Sequence, residues 1–115
     1  GTVFVAEMGG LGVVGFGNCG REQSGHTGFD GEICTLYVED EFHGQGVGRR
    51  LVDTMFRRLK RYGNQSAVIW VLKGNPARFF YAAIGGALVA ERQSQQWGET
   101  IHELAYGWRD LSGVA

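Results

Sequence analysis

The chain of 115 residues is poor in the residues on which small secreted or metal-dependent domains rely, with two cysteines, one proline and three histidines. Two cysteines cannot build the disulfide framework of a small secreted domain. No apolar run approaches the roughly 18 residues of a membrane span, and no signal-peptide pattern is recognisable. We therefore expect a reducing, cytoplasmic setting, with Cys19 and Cys34 as small buried hydrophobic residues rather than reactive or paired thiols.

Several catalytic motifs are missing as well. His26, His43 and His102 show no metal-ligand spacing and there is no paired Cys-x-x-Cys, so no metal is expected. The absence of a Gly-x-Ser-x-Gly elbow argues against an acyl-enzyme intermediate. A Walker A loop needs a lysine and a hydroxyl residue that the glycine-rich segment lacks. A dinucleotide fingerprint begun at Gly44 would require glycine where Arg49 stands.

The composition is that of a single globular domain spanning residues 1–115. An apolar fraction of 43% and a charged fraction of 20% are ordinary for a soluble chain of this length. No linker, internal repeat or low-complexity tract indicates a second domain. The net charge of -1 argues against a polyanion as the main partner.

Hydrophobic periodicity predicts an α/β protein whose central mixed sheet is flanked by helices. Apolar residues over 46–62 recur at three- and four-residue spacing, which is typical of an amphipathic helix. The continuous apolar run 67–72 indicates a central strand, so this region forms a parallel crossover. The other predicted elements are strands at 2–8, 12–19, 32–38, 87–95 and 100–108, and a short helix from Pro76 to about residue 84.

The junction between the strand at 32–38 and the helix at 46–62 is rich in glycine. Gly44, Gly46 and Gly48 have no side chain to keep an anion away from the first N–H groups of the helix, which have no intrahelical partners. The helix dipole adds about 0.3 to 2 kcal/mol for a favourably placed anion. The junction therefore predicts a site for a phosphorylated ligand.

The segment His43-Gly44-Gln45-Gly46-Val47-Gly48 resembles motif A of the GNAT superfamily of N-acetyltransferases, Gln/Arg-x-x-Gly-x-Gly/Ala, with histidine in place of the opening Gln or Arg. Downstream, the cap Asn75, the Phe80-Tyr81 pair and the Gly85-Gly86 turn resemble the next motif of that family, in the same order. The resemblance runs from about Thr2 to the C-terminus. Family members usually begin with a further strand and two helices, so we expect a GNAT-like fold that is N-terminally truncated relative to the family.

The resemblance implies acetyl-coenzyme A (acetyl-CoA) as cosubstrate, with a primary amine attacking the thioester directly. In the family, one strand edge pairs with the pantetheine amides. This implies that Leu36, Tyr37 and Val38 line the donor and that the Val38 N–H polarises the carbonyl. Asn75 is implied to contact the pantetheine arm. The loop implied to bind the pyrophosphate consists of His43, Gly44, Gln45, Gly46, Val47, Gly48 and Arg49.

Two residues are candidates for acid–base catalysis. Tyr81 is the implied general acid for the leaving thiolate, a role compatible with its being an aromatic residue packed in its helix. Glu32 is the candidate general base, because alternation along the strand places it on the same face as Leu36 and Val38. The simpler interpretation of Glu32 is a solvent-exposed carboxylate at a strand end.

Other functions remain open at this point. The chain could be a non-catalytic acyl-CoA binding module, or a nucleic-acid binder acting through the basic residues of 49–61, although these basic residues are more simply a solvated helix face. The acidic residues at 39–41 form a solvated turn or attract a cationic acceptor. The acceptor, a small amine or a peptide N-terminus, is not defined. Because the truncation is expected to expose apolar surface, we predict a homodimer, with no nucleic-acid or membrane partner.

Overall fold

The computed structural model describes residues 2–23, 25 and 27–114, so His26 lies outside the described residues. Over these residues the chain forms one mixed sheet of six strands with two α-helices, which confirms the predicted class. The elements in chain order are β1 (Thr2–Met8), β2 (Gly12–Arg21), β3 (Gly31–Val38), α1 (Val47–Arg61), β4 (Ala67–Leu72), α2 (Ala77–Ala83), β5 (Ala87–Gln96) and β6 (Glu99–Trp108).

The strands lie side by side in the order β1-β2-β3-β4-β6-β5. β3 and β4 run parallel, whereas the other neighbouring pairs are antiparallel. α1 makes the crossover between the two parallel strands, as predicted. The predicted ends of every element agree with the structure to within two residues, and the largest difference is the extension of β2 to Arg21.

α1 is held against β1, β2 and β3 by its apolar side. Six of its side chains are buried: Val47, Leu51, Val52, Met55, Phe56 and Leu59. Glycines in β2 let the helix approach closely, since a Cβ atom added at Gly17 would lie 2.8 Å from Met55 Cε. Burial of these six side chains contributes about 1.5 to 3 kcal/mol each. The helix that begins at the glycine-rich junction is therefore fixed to the sheet along its whole length.

β3 contains a β-bulge that alternation alone does not reveal. Asn18 of β2 pairs with Thr35, but the next residue, Cys19, pairs with Ile33. Cys34 is therefore an extra residue on β3, opposite no residue of β2. From Thr35 to the end of β3, each side chain therefore lies on the sheet face opposite to the one that strict alternation predicts.

The bulge corrects the predicted position of Glu32. Ile33 before the bulge and Leu36 and Val38 after it all pack into the core beneath α1. Glu32 lies on the other face of the sheet, beside its parallel partner Val68. The prediction that Glu32 shares a face with Leu36 and Val38 is wrong, because it assumed an uninterrupted two-residue period.

The same bulge leaves the two cysteines in different environments, one buried and one exposed. Cys19 is buried beneath α1, with its Sγ 3.9 Å from Met55 O, as predicted for a small hydrophobic residue. The same prediction is wrong for Cys34, which the bulge leaves exposed. Neither forms a disulfide.

The N-terminal ends of β3 and β4 are fastened together by Asp30. Its carboxylate accepts hydrogen bonds from the N–H groups of Gln65 and Ser66 at 2.9 Å each and from Ser66 Oγ at 2.8 Å. Partial burial raises the pKa of Asp30, but these hydrogen bonds outweigh it and the pKa lies below its ordinary value. The Gly31 N–H adds a backbone bond to Ser66 O.

Candidate functional site

The central feature is a notch between β3 and β4. The two strands pair only where Gly31–Ile33 face Ala67–Ile69, although β3 continues to Val38 and β4 to Leu72. The strands diverge at the bulge, so in the described residues the second half of β3 has β2 on one side and no strand on the other. This free edge of β3 can pair with an extended ligand as a further strand would.

The backbone of Val38 is turned into this notch. The N–H of the next residue, Glu39, donates to Val14 O of β2 at 2.9 Å. Since successive backbone groups of a strand point to opposite sides, the N–H and C=O of Val38 point away from β2. His43 Nε2 lies 2.8 Å from Val38 O, which agrees with this direction. The Val38 N–H is thus positioned to donate to a carbonyl lying in the notch.

The loop that follows β3 leads directly to the start of α1. After a short 3-10 helix (Asp40–Phe42), Gly44 and Gly46 adopt φ angles of 79° and 81°, in the left-handed region that favours glycine. A Cβ atom added at either position would meet no atom within 4 Å, so the space above the loop is open. The turn predicted at 39–41 therefore contains a helical turn before the glycines.

The first turn of α1 is free of side chains that would compete with an anion. Its first intrahelical bond runs from the Arg50 N–H to Gly46 O at 3.0 Å. Within the described residues the helix has no side-chain N-cap and no acidic residue in this turn. The N–H groups of Val47, Gly48 and Arg49 therefore have no intrahelical acceptor, and anion binding at them stays a prediction.

Side chains of the loop bond to neighbouring backbone and side-chain groups. His43, at the position where the family has Gln or Arg, ties the loop to the end of β3 through Val38 O. Gln45 Nε2 donates to Glu41 O at 3.3 Å. Arg49 pairs with Asp53 one turn along the helix, at 3.1 Å. Contact with an anion therefore falls mainly to the backbone.

α2 brings the second motif next to this loop. Asn75 Oδ1 accepts the Ala77 N–H at 2.9 Å and so caps the helix, as predicted. A Cβ atom added at Gly48 would lie 3.5 Å from Phe80 Cζ, which shows how closely α2 packs on the first turn of α1. The two sequence motifs, separated along the chain, therefore meet at the same end of the sheet.

Tyr81 of α2 is buried, with 5% of its surface exposed. Its ring lies 5.6 Å from that of Phe80 and 6.3 Å from that of Tyr106. Burial raises the pKa of the Tyr81 phenol, so it stays protonated at neutral pH. Its hydroxyl forms no hydrogen bond within the part of the chain that the structure describes. The group is therefore a proton donor without a fixed acceptor.

Glu32 is not brought onto the same sheet face as Tyr81. One of its carboxylate oxygens accepts the Gln23 N–H at 3.2 Å. Glu32 lies on the face of Val68, whereas Tyr81 belongs to the core on the face of α1. The candidate base and the candidate acid are therefore on opposite faces of the sheet.

A cleft that the sequence did not predict lies at the C-terminal end of β4. It has a volume of about 650 Å³ and is lined by Leu72, Lys73, Gly74, Asn75, Thr100, Ile101 and His102. Only Asn75 of these was singled out from the sequence. The signal for the others is non-local, since it requires the register of β4 against β6.

The basic residues of α1 are partly engaged within the chain. Arg57 donates to Thr54 Oγ1 at 3.2 Å, and Arg58 lies over the ring of Tyr62 at 4.6 Å. Lys60 Nζ donates to Val114 O at 2.6 Å. These contacts agree with a solvated helix face.

Known proteins resemble this chain in sequence and in fold. A model of the FR47-like protein family matches residues 25–97, a range that contains both motifs and both strands of the notch. The chain belongs to the FR47-like family. It is 36% identical over 112 residues to the uncharacterized N-acetyltransferase YuaI of Bacillus subtilis strain 168, covering 97% of this chain and 65% of YuaI.

Solved structures place the FR47-like chain in the GNAT fold. The GCN5-related N-acetyltransferase of Rhodopseudomonas palustris superposes with a TM-score of 0.74 at 20% identity, over 93% of this chain and 60% of that one. The yncA protein of Salmonella typhimurium, solved with its cofactor acetyl-CoA, superposes with a TM-score of 0.71 at 22% identity, over 98% and 66%. These structures confirm the fold predicted from the sequence, and the chain spans 60% to 66% of the length of the relatives named here.

The described residues contain neither a cluster of metal ligands nor a membrane-spanning helix. No group of three or more His, Cys, Asp or Glu side chains is arranged to hold a metal ion among them. Neither helix in the described part of the chain has the length and apolar composition that crossing a membrane would require.

Proposed function

We propose that the chain is an N-acetyltransferase that transfers the acetyl group of acetyl-CoA to a primary amine. The observation that carries the proposal is the meeting, at one end of the sheet, of an open strand edge with a helix start that has no side-chain cap. A thioester donor with an extended amide arm and a diphosphate needs both features. The alternative, binding of acyl-CoA without turnover, uses the same two features but requires no proton donor.

The residues present fit this donor. The free edge of β3 at Leu36, Tyr37 and Val38 suits the amides of the pantetheine arm, and the open loop through Gly46 suits the diphosphate. Asn75 caps α2 just after β4, the other strand of the notch. Acetyl-CoA, when bound, supplies an activated acetyl group. The chain's own part is to hold it and to direct the Val38 N–H at its carbonyl oxygen.

The acid and base act from opposite faces of the sheet in this proposal. Glu32, which lies six residues before Val38 on β3, accepts a proton from the acceptor amine through intervening water molecules as the new C–N bond forms. Tyr81 gives its proton to the sulfur as the C–S bond breaks. The Tyr81 phenol is in the protonated form that a general acid needs at neutral pH, although burial raises its pKa and so makes it a weaker acid.

Calorimetry with acetyl-CoA tests donor binding. Gly46→Glu should weaken binding by about tenfold or more, because it places a carboxylate where the helix start attracts a diphosphate. Gly10→Glu is a matched control: Gly10 has the same φ of 81°, and an added Cβ there also meets no atom within 4 Å. Equal loss in both variants would mean that backbone strain, not the anion site, causes the effect. Failure of the parent to bind would count against the proposal itself.

Release of free coenzyme A with a panel of primary amines separates the enzyme from the non-catalytic binder. The enzyme should release thiol faster with at least one amine than without any. A protein that binds acetyl-CoA but releases none above the background rate would be the binding module. Nucleic-acid binding would show instead as steeply salt-dependent association with DNA or RNA that Arg57→Ala/Arg58→Ala abolishes.

We also propose a homodimer, in which a second copy covers the sheet face opposite α1. The support is a row of exposed apolar side chains across β1, β2 and β3, where Val5 pairs with Phe16 and Phe16 with Tyr37. The rings of Phe16 and Tyr37 lie 5.6 Å apart. Sedimentation at about 50 µM should give a dimer for the parent and a monomer for Phe16→Ser. A monomeric parent would remove this proposal.

A further inference from the structure

The cleft at the end of β4 is built by an overhang of the β5–β6 hairpin. β4 ends at Leu72, opposite Glu103, while the hairpin continues through four more residue pairs. One wall is the overhanging stretch of β6 with His102, and the other is the turn 73–75 that leads into α2. The Lys73 N–H donates to His102 O at 2.9 Å and joins the two walls at their base.

The cleft carries positive charge that the protein does not neutralise. Lys73 follows the β4–β6 register one step further, opposite His102, so the two side chains share one sheet face. Both are exposed, and neither side chain forms an ion pair with a described residue. The acidic residues of β6, Glu99 and Glu103, alternate onto the other face. Glu91 of β5 shares the face of Lys73 but does not line the cleft.

The remaining polar groups of the lining suit the same kind of ligand. Thr100 and Asn75 bring a hydroxyl and an amide to the cleft, and no carboxylate lines it. Leu72 and Ile101 alternate onto the same sheet face as Glu103, and they add apolar surface to the cleft at the end of β4. Donors around one ammonium group, with apolar walls, are the requirements for binding a small organic carboxylate.

We infer that this cleft binds a carboxylate of the acceptor, so that the acceptor is a primary amine that also carries a carboxylate. The inference rests on the proposed function and specifies its acceptor class. The β3 side of the notch is taken by the loop for the diphosphate, whereas the cleft lies on the β4 side and shares Asn75 with the donor site. Lys73 provides the ionic contact, and His102 and Thr100 provide hydrogen bonds.

Matched pairs of amines test this inference. The probes are glycine against glycinamide and 4-aminobutyrate against 4-aminobutanamide, with thiol release measured for the parent and for Lys73→Met. Loss of one charged hydrogen bond should lower the preference for the carboxylate over its amide by about tenfold, mainly through KM. The ratio of the rate with the carboxylate to the rate with its amide is compared between the parent and Lys73→Met. This comparison cancels the different basicity of the two amines. Arg61→Met, which removes an exposed charge at the far end of α1, should leave the ratios unchanged.

The outcomes separate this inference from the proposed function. Turnover with the same carboxylate preference in the parent and in Lys73→Met would overturn the inference and leave the acetyltransferase intact. Absence of thiol release with every amine would count against the acetyltransferase, and a titration would then decide the inference alone. In that titration, 4-aminobutyrate at up to about 100 mM should shift the His102 imidazole NMR resonances in the parent and much less in Lys73→Met. No shift in the parent would overturn it.

Discussion

The two sides of the notch present different chemical groups to a ligand, backbone groups on one side and side chains on the other. The β3 side consists of backbone: a free strand edge ending at Val38, glycines in the left-handed region and the uncapped start of α1. The β4 side presents the side chains of Asn75, Lys73 and His102, and Tyr81 of α2 lies in the buried core. Backbone donors suit the parts that every acyl-CoA shares, while side chains can change with the acceptor and the chemistry. Under the proposed function, the backbone side is the donor half of the site, and the side-chain side is the half that serves the acceptor and the chemistry.

The largest effect is expected on the side-chain half. Tyr81→Phe should lower kcat by about 100-fold, since general acid catalysis typically contributes that much. The acetyl-CoA dissociation constant should change little. The Tyr81 hydroxyl forms no hydrogen bond with a described residue, so its removal leaves the donor half in place. Steady-state kinetics and calorimetry on the same preparation measure the two quantities.

Glu32→Gln provides the comparison from the opposite sheet face. It should lower kcat by a similar factor of about 100 with unchanged acetyl-CoA affinity, because a general base contributes on the same scale as a general acid. Full activity of Tyr81→Phe would refute its assignment as the acid, and full activity of Glu32→Gln would refute that of the base. A parallel loss of acetyl-CoA affinity in Tyr81→Phe would show that the two halves are not separate.

The next effect concerns the closed end of the notch, where Asp30 holds the two halves together. Asp30→Asn should lower the free energy of unfolding by about 1 to 2 kcal/mol, because three hydrogen bonds lose their charged acceptor. The pKa of Asp30 is lowered in the folded protein. Its stabilisation is therefore present above the unfolded value of 3.8 and is lost as the pH falls through the folded value.

Urea unfolding at neutral pH and at about pH 3 measures both parts of this prediction. The parent should exceed Asp30→Asn in stability at neutral pH, and the difference should shrink in acid. Asp53→Asn, which removes a carboxylate paired with Arg49 on the exposed side of α1, is the matched control and should cost at most about 1 kcal/mol. A difference for Asp30→Asn that does not depend on pH would mean that the charge of Asp30 is not what holds the strands.

The same division decides how much of the molecule the sequence could predict. The donor half depends on local signals: glycine needs no partner to permit a left-handed turn, and the apolar stripe of 47–59 marks where α1 begins. The bulge at Cys34 leaves no such signal, because it arises from the way β3 pairs with β2 while diverging from β4. Because the bulge at Cys34 was not predicted, alternation placed Glu32 on the wrong sheet face.

The cleft was beyond prediction for a related reason. Lys73 and His102 are 29 positions apart, and they meet only because β4 pairs with β6 in one register and stops before the hairpin does. A shift of one residue would turn His102 to the opposite face. The acceptor half therefore depends on non-local pairing, while the donor half depends on neighbours in the chain.

The smallest effect is expected at His43, where the chain departs from the family pattern. If backbone amides carry the donor half, His43→Gln should change the acetyl-CoA dissociation constant by less than about threefold. The imidazole contact with Val38 O positions the loop, so His43→Ala should weaken binding slightly more than His43→Gln. Calorimetry on both variants, beside Gly46→Glu, measures the order. A loss at His43→Gln as large as that at Gly46→Glu would mean that a side chain, not the main chain, binds the diphosphate, and the division between the two sides of the notch would fail.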